Sequence, residues 1–362
     1  MKAVILVGGK ATRLEPLTVN TPKAMVPVLN TPFLEQVIHL LSRHQVKEMV
    51  MAQGHLAQPI EGYFGDGSRF GVRLYYSIED SPLGSAGAAK NAEKYLDGTF
   101  LVVNGDIVTD LDITAMTDFH EQRKAKVTIA VVGVDDPTSF GLVDSDGRGR
   151  VTRFLEKPKP EEVTTNMINA GAWLVEPDVL ARIPTRAQFS FERDLFPQLL
   201  VQGDPVYAYP LSGYWMDMGT PEKYLQLHRD LLSGRSRQYA PAENIPAGAK
   251  TAIHPTAEVS GQVMLGADCS IGPRVKLTGP VVIGDGCSIG EGCLIEDSVI
   301  WQKTVLGPGV SLKGCIVADN CRMSAGSSGE GVVMGDRVTV ANNRKLETYR
   351  KIWPGTTIEG ES

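Results

Sequence analysis

The sequence has no apolar run approaching the roughly 18 residues of a membrane helix, so no membrane partner is expected. Positive charge is not in excess. With 36 Lys and Arg against 42 Asp and Glu the net charge is −6, which argues against a broad nucleic-acid surface. Cysteine is missing until Cys269, and the five thiols (Cys269, Cys287, Cys293, Cys315, Cys321) lack C-x-x-C spacing, so a zinc site is not expected. The six histidines form no H-x-x-x-H pair; a built-in metal cage is therefore not expected, while a cation delivered with a substrate stays open. The opening residues lack the charged and apolar regions of a secretory leader, and a cytoplasmic protein is expected. Both common phosphate-binding glycine motifs, G-x-x-x-x-G-K-[ST] and G-x-G-x-x-G, are absent near the start.

What is present begins with size. At 362 residues, 42% hydrophobic and 22% charged, the chain suits a globular protein of two domains. Residues 3–7 are apolar and end at Gly8-Gly9, so they read as a buried strand opening into a turn where glycine allows positive φ and close approach of a ligand. Lys10, Arg13 and Lys23 bring positive charge to this loop, which is where an α/β sheet holds a phosphorylated ligand. Helix spacing follows over 32–45, with Phe33, Val37, Ile38, Leu40 and Leu41 on one side and Thr31-Pro32 as its start. Strands are expected at 46–51, 72–76, 100–103, 127–134 and 170–175, and an alanine-rich helix at 85–95. This alternation predicts an α/β domain over 1–232: a Rossmann-like mixed, mostly parallel sheet sandwiched by helices, with its site beyond the strands' carboxyl ends.

Residues 233–250 are rich in Ser, Pro, Gly and charge, a linker composition. From 251 to 362 a hexad takes over. Ile253, Val259, Leu265, Ile271, Leu277, Ile283, Ile289, Ile295 and Trp301 recur every six residues, and a small or branched residue stands two places before most of them: Ala257, Val263, Cys269, Val275, Val281, Cys287, Cys293, Val299. A period of six fits neither helix nor flat strand, but one face of a three-sided parallel β-helix. The register is expected to slip at Gly307-Pro308-Gly309 and to resume with Cys315 and Cys321. The cysteines then read as small inward hydrophobes. Residues 324–331, rich in Gly and Ser, read as a mobile loop, and 350–354 as a terminal cap or interface strand.

The run GGKATRLEPLTVNTPKAMVPV resembles the signature of sugar-1-phosphate nucleotidylyltransferases, with Ala11 standing where that family usually has glycine. What the resemblance implies is attack of a sugar-1-phosphate oxygen on the α-phosphorus of a nucleoside triphosphate with loss of pyrophosphate. Such a reaction needs alignment and charge neutralisation rather than an enzyme nucleophile. By this resemblance the nucleotide lies on Leu6, Gly8, Gly9, Arg13, Lys23, Glu79, Gly84 and Asp106. Asp106, ending a strand in NGD, and Asp217, in GYWMDMGTPEKY, would hold Mg²⁺. Lys157 would hold the sugar phosphate, with Glu156 and Asn169 on ring hydroxyls and Gly141 giving close backbone approach. Arg13, Lys23, Asp106, Lys157 and Asp217 form the expected catalytic set.

Glu79 precedes SPLGSAG, which resembles the family's base-binding loop. A carboxylate only accepts hydrogen bonds, and the Watson–Crick edge of guanine offers N1–H and N2–H₂, so Glu79 points to GTP. The segments SFERDLFP and GYWMDMGTPEKY bring the resemblance closest to the mannose-1-phosphate guanylyltransferase branch with a hexapeptide tail. It implies a left-handed coil and formation of GDP-mannose. Another hexose-1-phosphate with dTTP or UTP, and a sensing subunit without catalysis, are the alternatives. Acyl transfer by the coil is disfavoured, because His254 in its entry turn is the coil's one histidine. Self-association through the coil is expected.

Overall fold

The structure, a computed structural model, describes residues 1–9, 11–54, 57–237 and 249–360. Lys10 and most of the expected linker, 238–248, lie outside the described residues. By contacts the chain forms two compact units that do not follow its order. One comprises Met1–Gly9 and Leu34–Trp215, the other Lys10–Phe33 and Met216–Ser362.

The first unit is built on a nine-stranded mixed sheet. Its strands are β1 (Lys2–Leu6), β2 (Glu48–Gln53), β3 (Arg73–Ile78), β4 (Phe100–Asn104), β5 (Val127–Gly133), β6 (Gly141–Ser145), β7 (Val151–Glu156), β8 (Met167–Val175) and β9 (Val206–Pro210). The order runs β7-β6-β8-β4-β1-β2-β3, and β5 joins β8 to β9. The strands β4-β1-β2-β3 are parallel, and β8 runs antiparallel to β4, β5 and β6. Parallel strands must be covered on both faces, which explains the nearly unbroken apolar text of β1 and β4. Helices α1 (Phe33–Arg43), α2 (Ala57–Phe64), α3 (Gly84–Asn91), α4 (Ile113–Arg123) and α5 (Phe196–Val201) come between these strands in sequence. Helix α1 matches its expected span and buries Leu34, Val37, Ile38, Leu40 and Leu41. Trp173, Phe191 and Phe196 pack in the core, tilted or edge-on, at centroid separations of 5.0–5.8 Å.

Register decides what the sheet's edge carries. Leu6 pairs with Asn104 and Ala52, so Gly8, Asp106 and the residues after β2 leave the sheet together; Glu79, after β3, leaves there too. Because β8 is antiparallel, Ala172 faces Val103, which puts Asn169 beyond the same ends. Gly141 pairs with Glu156, and Leu142 with Ile168, so these also fall on that edge.

In the second unit, short parallel strands stack into three sheets of seven, five and six strands. Ile271, Leu277, Ile283, Ile289 and Ile295 point inward, as the hexad predicts, with Cys269, Cys287, Cys293, Cys315 and Cys321 buried among them. Full burial of each large aliphatic anchor contributes about 1.5–3 kcal/mol.

The expected register needs correction from Asp297 onward. Paired strands are 18 residues apart as far as Glu296↔Thr278, but Val299 pairs with Val282 and every pair onward to Thr339↔Arg322 is 17 apart. The first slip therefore falls at Asp297-Ser298, not at 307–309, and it recurs in the following turns: Val299↔Ile316 and Ile316↔Val333 are again 17 apart, and the step from Leu312 to the next inward anchor, Val317, is five residues. Ile300 takes the inward anchor position and Ser298 the inward small one, displacing Trp301 and Val299. The last pairs, Val333↔Lys351 and Thr339↔Thr357, return to 18. The glycine- and serine-rich stretch is also no loop: Ser328–Glu330 is a strand paired with Ser311–Lys313, and Ser327 is buried. Lys351–Ile352 continues the coil by pairing with Val333–Met334.

Candidate active site

Within the first unit, one edge of the sheet gathers the expected base- and sugar-side residues. Gly9 has φ +125°, a conformation only glycine adopts readily. Gly8 does not share it, and a Cβ there would make ordinary contact, 3.8 Å from Gly54 N and 4.0 Å from Glu79 Oε1. Gly105, in the NGD turn, is the tighter glycine: a Cβ would stand 2.8 Å from Val7 and 3.0 Å from the Leu6 carbonyl, which accepts the Gly105 N–H at 2.9 Å. That close crossing sets Asp106, half-buried, next to the end of β1.

Glu79 is half-buried after β3. Its Oε2 accepts the Leu83 N–H at 2.9 Å, while Oε1 lies toward Gly8. Burial raises its pKa above the usual carboxylate value, and the Leu83 N–H partly offsets this. The SPLGSAG loop is held from behind. Gly84 has φ +72°, and a Cβ on it would lie 2.7 Å from the Phe189 carbonyl, which accepts Ala86 N–H and Gly87 N–H at 3.0 and 2.9 Å. Ser85 Oγ donates to Glu192 Oε2 at 2.6 Å and accepts Phe191 N–H at 2.9 Å. The SFERDLFP segment thus works as a brace for the SPLGSAG loop, a role its sequence gives no hint of.

On the sugar side, Asn169 Oδ1 accepts the Gly171 N–H at 3.0 Å and the Trp173 indole N–H at 2.8 Å. With its oxygen so committed, Asn169 has its amide N–H₂ as the donor it can offer a ligand. Lys157 is exposed at φ +52°, an uncommon backbone state for a residue with a Cβ, and its N–H donates to the Phe140 carbonyl at 2.9 Å. Glu156 is raised in pKa, first by burial and then by Glu192, against the pull of Lys157 and Arg193. The space beside Gly141 is taken by the chain itself: a Cβ would meet Phe154 at 2.6 Å and Glu156 Oε2 at 2.9 Å. Trp215, which sequence reasoning passed over, ties these elements together. Its indole N–H donates to the Ala170 carbonyl at 3.0 Å, and its ring meets Phe140 edge-on at 5.6 Å.

The second unit carries Arg13 and Lys23, the cations expected on the triphosphate. Lys23 Nζ is 3.8 Å from Asp217 Oδ1, with side-chain exposures of 14% and 12%. Lys223 Nζ stands 3.6 Å from Asp217 Oδ2 and was not among the expected residues. Gly219 is the packing point: a Cβ there would lie 2.8 Å from Asp217 Oδ2 and 3.4 Å from Arg13 Nη2. Glycine there lets the Asp217 carboxylate stand at this corner beside the exposed Arg13 without moving. Ala11 has φ 47° and ψ 39°, in the left-handed region, at the start of the turn Thr12–Leu14. This conformation accounts for the family's glycine at that position.

Among the described residues, no three or more His, Cys, Asp or Glu gather as a metal cage. Asp217, within the second unit, offers carboxylate oxygens, which suit a hard cation such as Mg²⁺ that keeps waters and substrate oxygens for its other positions.

Residues 2–234 match the family model described as nucleotidyl transferase, and residues 242–346 that described as the EIF2B subunit epsilon LbH domain. A mannose-1-phosphate guanylyltransferase of Mycobacterium tuberculosis is 37% identical over 326 residues, covering 90% of this chain and 81% of the relative. A UTP–glucose-1-phosphate uridylyltransferase of Synechocystis is 36% identical over 332 residues, covering 86% of each. The solved structure of HddC from Yersinia pseudotuberculosis, complexed with GMP-PN, superposes with a TM-score of 0.54 at 29% identity, covering 62% of this chain and 97% of that one.

Proposed function

This chain belongs to the nucleotidyl transferase family, and from that premise we propose that it joins GTP and mannose-1-phosphate into GDP-mannose and pyrophosphate. A phosphate oxygen of the sugar forms the new bond to the α-phosphorus, and the bond to the β-bridging oxygen breaks as pyrophosphate leaves. The observation that carries this reading is the corner where Lys23, Asp217 and Arg13 meet around Gly219. Cations held beside a carboxylate are what a triphosphate and its counter-ion require. Lys157 neutralises the sugar phosphate, and the Asn169 amide donates to a ring hydroxyl. Mg²⁺, for which Asp217 offers carboxylate oxygens, would neutralise the charge that builds on the phosphates.

Base choice rests on Glu79, an acceptor turned toward the glycine loop and matched to guanine's donors. A second reading is favoured by the Synechocystis relative, whose identity is nearly as high: UTP and glucose-1-phosphate on the same residues. A cytoplasmic location and self-association through the coil are part of the proposal. The reverse reaction discriminates the two readings. Given pyrophosphate and Mg²⁺, the chain should convert GDP-mannose to GTP faster than UDP-glucose to UTP; faster use of UDP-glucose would replace the first reading with the second, and no cleavage of either would overturn both.

A further inference from the structure

The second unit contains a buried hydrogen-bonded chain that the proposed reaction does not use. Helix α6 (Pro221–Leu232) begins four residues after Asp217 and presents the fully buried Tyr224. The Tyr224 hydroxyl donates to the Pro27 carbonyl at 2.5 Å and accepts the Trp301 indole N–H at 2.9 Å. Pro27 lies just beyond the turn Lys23–Met25. Lys23 and Asp217 are thus joined twice: directly across 3.8 Å, and through the ring of Pro27, Tyr224 and the first turn of α6.

The coil supplies the outer end of this ring. Trp301 stands next to the one-residue slip that turned it out of the coil interior, and Asp297, at the slip with φ +49°, forms a two-pronged pair with Arg229 of α6 at 2.8 and 2.5 Å. The same segment of the chain is tied to the coil twice more. Asn30 Nδ2 donates to the Ile283 carbonyl at 2.9 Å, and Asn20 Nδ2 to Asp336 Oδ2 at 3.2 Å. A coil serving self-association alone has no need to bond the segment that carries the phosphate cations.

We infer that Trp301 and Tyr224 are positioning residues, through which the β-helix holds Lys23 and Asp217 in register for the triphosphate. The inference rests on the nucleotidyl-transfer reading. Its substrate is the nucleoside triphosphate rather than the sugar phosphate, because Arg13 and Lys23, the cations expected on the triphosphate, belong to this unit, whereas Lys157, expected on the sugar phosphate, does not.

The test uses full-length Trp301→Phe, which keeps an aromatic ring and removes the N–H, beside the coil-core control Val340→Ala. Steady-state kinetics at 25 °C, calorimetric titration with MgGTP and melting temperatures are measured on each. A displacement of the cations on the order of 1 Å costs up to about 100-fold. Trp301→Phe should therefore lose roughly five-fold or more in kcat/KM for GTP and in GTP affinity, with KM for the sugar phosphate unchanged. Val340→Ala should lower the melting temperature and leave both kinetic constants as in the parent. Equal kinetics for parent and Trp301→Phe, or equal losses in both variants, would overturn the inference while the parent's turnover left the reaction standing. A parent that neither turns over nor binds any triphosphate would overturn both.

Discussion

Lys23 and Asp217 stand 3.8 Å apart, largely shielded, although the chain between them builds eight of the sheet's nine strands. Lys23→Met should lower kcat/KM for the triphosphate by roughly 100-fold, the usual loss when one preorganised charge partner of a reacting oxyanion is removed. Folding should change little, since Asp217 keeps the Lys223 ammonium 3.6 Å from its other oxygen. Kinetics and a thermal melt on the same preparation check both halves.

Gly219→Ala gives the complementary case. The added methyl must displace the Asp217 carboxylate, whose Oδ2 it would approach to 2.8 Å. Activity should fall at least ten-fold while the fold survives, because the clash is local to a turn. A fully active Gly219→Ala enzyme would show that this corner is not where the phosphates sit.

Ala11 invites the opposite change. A left-handed backbone costs an alanine about 1–2 kcal/mol, whereas glycine enters it freely but gives up chain entropy on folding. Ala11→Gly should therefore raise stability by about 1 kcal/mol or less and leave turnover at or above that of the parent. Urea midpoints, at equal m-values, read it.

His228 sets a pH dependence. Its Nε2 accepts the Leu29 N–H at 3.3 Å, so the proton is on Nδ1, which donates to the Tyr224 carbonyl at 3.0 Å. Burial lowers its pKa from 6.5 to about 4. The folded state therefore prefers the neutral ring: its contribution is intact above pH 6.5 and is lost as pH falls from there to about 4, a few kcal/mol in all. In His228→Gln the fall in stability across this window should be smaller than in the parent by that amount, read from urea midpoints at pH 7, 5.5 and 4.5.

Much of this was legible beforehand for physical reasons that can be named. The hexad was visible because every coil face must bury one anchor, and the glycine loop because Gly9 needs φ +125°. The one-residue slip was not visible, since Ile300 and Trp301 are both apolar and either fits a six-residue count; only pairing shows which one faces inward. The stretch 324–331 misled because its small residues suggested a loop, whereas a tight coil corner also excludes bulk: a Cβ on Gly326 would lie 2.2 Å from Asn343. Gly219, Trp215 and the SFERDLFP brace act through partners distant in sequence. No local pattern announces such contacts.

Glu79 carries the choice of base, and internal competition tests it most directly. The full-length chain is given GTP, UTP, dTTP and ATP in equal amounts, mannose-1-phosphate and glucose-1-phosphate in equal amounts, and Mg²⁺, and the first sugar nucleotides formed are identified by mass and chromatography. GDP-mannose should dominate, and Glu79→Gln should shift the product toward uridine or thymidine nucleotides. Early accumulation of UDP- or dTDP-glucose by the unaltered chain would contradict the account.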